Sequence, residues 1–290
     1  MTTRLLLAGA SGSVGFEVLQ GLQGKDFDLV TFSRNPKRSN KLKSLASEVR
    51  LGDIRKPATL EGLCDNIDVV FSCLGASVGL HLGQPSSFHS VDYQGNLNLL
   101  QEAQRAGCRR FVYVSVHLGE SYNHTEYIKA HERFVDALKQ SGMSYTIIRP
   151  AGIFSALAEF IPLARLGIVP LIGDGSAKSN PVHPADVAQA CMEHLLEGPE
   201  EVSVGGPEVL TRREIVEHAF RAVGKKPRMI PVPAFLYRMG SIIMRPFHPR
   251  LGQMLQFAEA VSTHDVFAPE VGTQRLVDYF ASLPGLPSPK

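Results

Sequence analysis

The chain of 290 residues has no tryptophan and only four cysteines, Cys64, Cys73, Cys108 and Cys191, widely spaced and without a CxxC pair. That pattern excludes a disulfide framework and a cysteine-based zinc site, and it fits a reducing compartment. Neither sign of charge is in excess: 30 Lys and Arg stand against 28 Asp and Glu. The bulk basic face of a nucleic-acid binder is therefore missing. No stretch approaches the roughly 18 uninterrupted apolar residues of a membrane span. The opening, MTTRLLLAGASG, breaks into glycine too soon for a signal peptide. These lacks set the expectation of a cytoplasmic protein with no integral membrane segment and no nucleic-acid partner. Repeats and low-complexity stretches are also missing. What the chain does have is 44% apolar residues, enough for a substantial core.

Those apolar residues are arranged as alternating short runs and amphipathic stretches. LLLAG (5–9), DLVTF (28–32), VRLGD (49–53), DVVFSCLG (68–75), RFVYVSV (110–116) and SYTIIRP (144–150) read as buried strands. Helical patterns lie between them at 13–23, 40–47, 57–64, 90–106 and 126–141. Such alternation implies an α/β fold, a doubly wound parallel (Rossmann) sheet with helices on both faces. After Pro150 loops lengthen, prolines cluster and strands become rare. A helix at 185–196, a short strand at 201–204 and a capping box of Thr211 with Glu214 follow. The organisation expected is a dinucleotide-binding domain over 1–150, a smaller substrate lobe over 151–284 and a flexible tail over 285–290. Residues 229–247, MIPVPAFLYRMGSIIMRPF, read either as an amphipathic surface or as a buried lobe helix, and the prolines and short length favour burial.

The stretch GASGSVG carries the first chemistry: Gly9, Ser11, Gly12, Ser13, Val14 and Gly15 follow a strand and open a helix. The glycines permit a tight turn, close approach of a pyrophosphate and close helix–strand packing, while the helix start offers N–H groups to phosphate. At the tip of the second strand stand Ser33 and Arg34, with Lys37 and Arg38 beyond and no acid nearby. A basic tip accommodates the 2′-phosphate of NADP, so NADP is favoured, with NAD as the alternative. Asp53, ending the third strand, is placed either to bond the adenine amino group or to start a helix before Pro57.

The Gly-x-x-Gly-x-x-Gly spacing resembles the short-chain dehydrogenase/reductase superfamily. The segments GDIRKP, FSCLGAS, VDYQGNLNLLQEAQRAGCRRFVYVS, SYTIIRPAGIFS, PLIGDGSAKSNPVHPADVA and VGGPEVLTRREIVEHAF resemble its atypical, NmrA-like branch. Divinyl-chlorophyllide 8-vinyl reductase-like and SDR a5 proteins belong to that likeness, which covers nearly the whole chain. It implies further cofactor contacts at Asp53, Ile54, Cys73, Leu74, Gly75 and Pro150. It also implies a centre made of a serine, here Ser115, and Tyr-x-x-x-Lys on the next helix.

The lysine is the departure. In EYIKAHERFVDALK, Tyr127, His131, Phe134, Val135 and Leu138 recur as one buried stripe, and Lys129 falls on the polar side. The frame is therefore Tyr-x-x-x-His, with His131 in the lysine position facing the nicotinamide ribose. A histidine of ordinary pKa near 6.5 cannot supply lysine's permanent charge. Tyr127 is thus either a weakened general acid/base or part of a packed helix face. His81, His89 and His117 follow the fourth and fifth strands and are candidates to line a substrate pocket. No His-x-x-x-His or carboxylate cluster accompanies the ten histidines, so no metal site is expected. The expectation is a reductase, using NADP(H), of a carbonyl or conjugated double bond in a small or medium-sized apolar substrate. The alternative is an NADP(H)-binding regulator or assembly factor without turnover. A monomer or homodimer fits either.

Overall fold

Leu5 and Leu7 point to one side of the first strand, Leu6 and Ala8 to the other, and all four are fully buried. A strand apolar on both faces needs a layer on each, and the computed structural model of the chain has both. It describes residues 2–35, 42–76, 87–117 and 122–286. Strands β1 (Thr3–Ala8), β2 (Phe27–Ser33), β3 (Glu48–Leu51), β4 (Val69–Ser72), β5 (Arg110–Val114), β6 (Ser144–Pro150) and β9 (Glu201–Val204) form one sheet. Its order is β3-β2-β1-β4-β5-β6-β9, and every pairing is parallel. On one face, Leu5, Leu7, Val112 and Val114 pack against Val18 of the Ser13–Gly21 helix and Val187 and Cys191 of the Pro184–Glu193 helix. On the other, Leu6, Ala8, Phe111 and Tyr113 meet Leu99 and Ala103 of the Gln94–Arg105 helix and Phe134 and Leu138 of the Glu126–Lys139 helix.

The sheet confirms the doubly wound reading, with differences in detail. The 57–64 stretch is a short 3-10 turn, Pro57–Thr59, followed by further turns. The 40–47 stretch begins outside the described residues and continues as a turn. The 90–106 pattern opens with one π turn, His89–Tyr93, before its α-helix.

Beyond Pro150 the chain is richer in strands than its sequence suggests. β7 (Val169–Ile172) pairs with β11 (Met229–Val232), and β8 (Lys178–Ser179) with β10 (Leu210–Thr211). At two to four residues they are too short to carry a pattern of alternation. A separate core of Phe154, Ile161, Ile215, Phe220, Leu276 and Phe280 serves this part. The Arg212–Ala222 helix starts with the expected capping box: Glu214 N–H donates to Thr211 Oγ1 (3.1 Å), and Thr211 N–H to Glu214 Oε2 (2.8 Å). In the tail, Arg165 donates to the carbonyl of Gly285, and residues 287–290 lie outside the described residues.

The 229–247 stretch overturns the expectation of burial. Its Ala234–Met244 helix exposes Phe235, Leu236, Met239, Ile242 and Ile243 and buries Ser241 alone. The physical reason is close packing on its small-residue side. Gly240 lies against Leu255, and a Cβ at Gly252 would come within 2.8 Å of the Ser241 carbonyl oxygen. The Pro249–Thr263 helix thus receives the small side, and the large apolar side is left outward.

Candidate cofactor and active site

Order reverses between β1 and β4, whose other neighbours lie on opposite sides of the sheet. Ligands in such sheets sit at the carboxyl ends of the strands, at that switch. There Gly9 has φ +95° and its carbonyl accepts from Gly12 N–H at 2.9 Å, closing the turn. A Cβ on Gly15 would fall 2.3 Å from the Gly9 oxygen, and one on Gly9 would fall 2.8 Å from Cys73 Sγ. Ser11, Gly12 and Ser13 are exposed, Val14 and Gly15 buried. The Ser13–Gly21 helix has Gly12 as N-cap and no side-chain cap, so its first N–H groups are offered outward. Ser13 Oγ also lies 2.9 Å from Ser155 Oγ, joining the loop to the second half of the chain. The glycines let the loop close on itself and on Cys73, and the exposed, uncapped helix start they leave fits a pyrophosphate.

Around this cradle, Ser33 ends β2 and exposed Arg34 follows it. Asp53 follows β3, its carboxylate held below the usual range first by the Arg55 hydrogen bond, with Arg34 contributing least. Arg55 takes it at 2.7 Å and 3.0 Å. Ile54 is buried, and its carbonyl accepts from Asn98 at 2.7 Å. Cys73 lies beneath the loop, its Sγ 3.4 Å from the Ala8 oxygen, and burial pushes its thiol up to about 12. Leu74 and Gly75 leave β4 along the same edge, tied down by Asn96, which bonds Ser72 Oγ (2.6 Å) and the Leu74 carbonyl (3.2 Å). Pro150 is buried, and its carbonyl accepts from His117 N–H at 2.9 Å. Lys37 and Arg38 lie outside the described residues, as does His81.

Ser115 follows β5. Its N–H is bonded to the Ile148 carbonyl (2.8 Å), and its buried Oγ has no partner among the described residues. Buried Arg149 braces this corner. It reaches Glu132 (2.8 Å), Glu201 (2.6 Å) and the Val116 carbonyl (3.1 Å), joining β6, β9, the Glu126–Lys139 helix and the β5 exit. Thr125 caps that helix, accepting from Ile128 N–H. Tyr127 then enters a ring of aromatics: Phe88 at 5.0 Å, His131 at 4.7 Å and Phe257 at 4.6 Å between centroids. Lys129 is exposed and pairs with Glu126 at 3.5 Å.

His131 is only 3% exposed. Its Nδ1 is 2.6 Å from the Tyr113 hydroxyl, and its Nε2 is 3.3 Å from Asp92 Oδ1, off the line of a hydrogen bond. Burial first, and Asp92 second, hold Tyr113 well above the ordinary phenol range, so the hydroxyl keeps its proton. Asp92 is fully buried and accepts from Ala76 N–H at 3.1 Å. Where a lysine would bring positive charge next to the tyrosine, this fold puts a carboxylate. Burial first, and Asp92 second, push the Tyr127 phenol above its ordinary value.

The profile of a family described as NAD(P)H-binding matches residues 9–197. The chain belongs to that family. The chain thus has an NAD(P)H-binding, oxidoreductase-like fold. Among curated relatives, the photosystem II assembly factor Ycf39 of Trieres chinensis is 24% identical over 274 residues, 91% of this chain and 83% of that protein. The chloroplastic divinyl chlorophyllide a 8-vinyl-reductase of Cucumis sativus is 27% identical over 254 residues, 80% of this chain and 59% of that protein. Among solved structures, the NADPH-dependent quinone oxidoreductase QOR2 of Escherichia coli, complexed with NADPH, superposes with a TM-score of 0.68. It is 17% identical, and the match covers 96% of this chain and 98% of that one. The likeness to atypical short-chain reductases read in the sequence stands on these relatives.

Within this NAD(P)H-binding chain, sequence reasoning missed Asp92, Asn96 and Arg250. Arg250 is buried, with its guanidinium 4.2 Å above the Phe88 ring. Asp92 and Asn96 had a signal: two polar residues four apart on a helix face that otherwise meets the core. Arg250 had none, because its position depends on how the Pro249–Thr263 helix packs beside the Glu126–Lys139 helix, far from it in sequence. Of the histidines expected at a pocket, His89 is exposed against Tyr93, and His117 turns to Ser203 Oγ at 3.2 Å. Among the described residues no group of His, Cys, Asp and Glu could hold a metal ion.

Proposed function

We propose that the protein is an NADPH-dependent reductase of a carbonyl or conjugated double bond in an apolar substrate. The observation that supports it best is a pair of hydroxyls at the carboxyl edge of the sheet. Ser115 Oγ has no partner among the described residues, and Tyr127 is held protonated. The nicotinamide, when bound, supplies hydride. Tyr127 then serves as a hydrogen-bond donor to the oxygen that gains electron density, and Ser115 as a second donor. A phenol pushed upward is a poor base, so the reductive direction suits this site better than alcohol oxidation. Phe88, Phe257 and Met254 around Tyr127 favour an apolar substrate. Arg34 at the β2 tip favours NADPH over NADH.

A second reading has its own observation. His131 is committed to Tyr113 and Asp92, as a packed structural residue would be. That favours an NADPH-binding protein without turnover, and the relatives include both an assembly factor and a vinyl reductase. Loss of NADPH absorbance in the presence of quinones and conjugated enones separates the two. Under the reductase reading Tyr127→Phe loses about 10²–10⁴-fold in kcat and keeps its NADPH affinity. NADPH binding without oxidation by any acceptor carries the second reading instead.

A further inference from the structure

The outward side of the Ala234–Met244 helix has no role in the site just described. Phe235, Met239, Ile242, Ile243 and Leu236 all face solvent. At 3.6 residues per turn they fall within an arc of roughly 120°. Exposure reaches 58% at Phe235 and 67% at Ile242, and Phe247, just past the helix, is 81% exposed. The opposite side is occupied, since Gly240 and Ser241 are packed on the Pro249–Thr263 helix. This face is therefore fixed in place, and its apolar residues cannot turn inward without breaking that crossing.

In the sequence around it the charge is of one sign. Between Glu217 and Glu259 there is no Asp or Glu, while Arg221, Lys225, Lys226, Arg228, Arg238, Arg245 and Arg250 fall in that span. Arg238 and Arg245 border the apolar arc and reach acids from elsewhere, Glu259 and Glu126. Lys225, Lys226 and Arg228 are exposed on the approach to β11 and the helix, and they make no salt bridge among the described residues. Ile230, between them and the helix, is exposed as well.

We propose that this helix and Phe247 lay the protein on the surface of an anionic lipid bilayer. Large apolar side chains on one arc with cationic side chains at its border and approach are what an interfacial helix presents to headgroups and acyl chains. The uncompensated bases supply attraction to a negative leaflet. A second copy of the chain is disfavoured as the occupant, because a twofold contact through this face would bring the same uncompensated bases together. The association is peripheral: no helix among the described residues is long and apolar enough to cross a membrane. The proposal is independent of whether the cofactor site turns over.

The test is co-sedimentation of the full chain with vesicles of phosphatidylglycerol and phosphatidylcholine, against vesicles of phosphatidylcholine alone. Binding is expected to the anionic vesicles only and to weaken as salt is raised. The triple variant Phe235→Gln, Ile242→Gln, Phe247→Gln should bind anionic vesicles at least about tenfold more weakly, with its circular dichroism and NADPH binding kept. Lys225→Glu with Lys226→Glu and Arg228→Glu should weaken binding to the same vesicles. Wild type that stays in the supernatant, or a triple variant that binds like wild type, overturns the proposal. So does equal binding to both kinds of vesicle. A wild-type dimer that the triple variant turns into a monomer in sedimentation velocity, with no vesicle binding by either, assigns the face to a second copy and overturns it too.

Discussion

Tyr113, His131 and Asp92 form a buried set in which each polar group depends on the others. His131→Ala leaves the buried Tyr113 hydroxyl without its partner, and the unfolding free energy should fall by about 1–3 kcal/mol, the cost of orphaning a buried polar group. Lys129→Ala removes only an exposed pair with Glu126 and should change stability by less than about 1 kcal/mol. Urea denaturation of both variants beside wild type decides it. Equal midpoints for His131→Ala and Lys129→Ala would show that the buried set carries no stability. Arg34→Ala should lose about 1.5–3 kcal/mol of NADP(H) affinity and little for NAD(H), which titration calorimetry with each cofactor reads directly. The inward placement of His131 was legible, because a four-residue repeat fixes a helix face whatever the fold around it. The meeting of Asp92 with His131 was not, although the polar spacing of Asp92 and Asn96 was visible, because it is made by the packing of two elements well separated in the chain.

Elements are where pattern and packing part company. The Gly9–Gly15 turn could be read from the sequence because its reason is local: the backbone passes too close to itself for a side chain. Gly15→Ala must push the Gly9 carbonyl aside. Overpacking of this kind costs about 1–3 kcal/mol, so both the melting temperature and NADPH affinity should drop. Unchanged NADPH binding by a folded Gly15→Ala protein would separate the turn from the cofactor. The Ala234–Met244 helix shows the opposite case. Its apolar stripe was visible, but amphipathicity states only that two sides differ. Which side meets the protein was decided by Gly240, Ser241 and Gly252, whose small size lets two helices cross closely. The short strands after Pro150 escaped for another reason: at two to four residues, pairing depends on the partner and not on an alternation of their own.

At the scale of the whole molecule, stability carries a pH signature in histidine. Burial lowers the pKa values of His117, His183 and His218. Each is neutral in the fold, whereas in the unfolded chain it takes up a proton near its ordinary 6.5. Stability is therefore complete above about pH 6.5 and falls as pH drops from there toward the folded values. The carboxylate of Glu201 acts in a lower window. Burial alone would raise its pKa, but bonds from Arg149 and Lys139 outweigh it, so its contribution is lost only below about pH 4.3. Urea midpoints at about pH 7.5 and about pH 5.5 should differ, and a flat profile would contradict the assignment. The sheet itself was legible from β1 to β6, since runs apolar on both faces leave few alternatives. The place of β9 was not, because four residues beyond a change of texture do not announce their partner. That pairing has a consequence in time. β6 takes its outer neighbour from Glu201–Val204, and Gly21 of the first helix takes its cover from Met192. On the ribosome, a chain grown to Pro150 thus carries an open parallel edge and a bare helix face while about fifty more residues are added, roughly 3–10 s of synthesis. Chaperone capture of the nascent chain should be concentrated in that interval and end once residue 204 has cleared the exit tunnel.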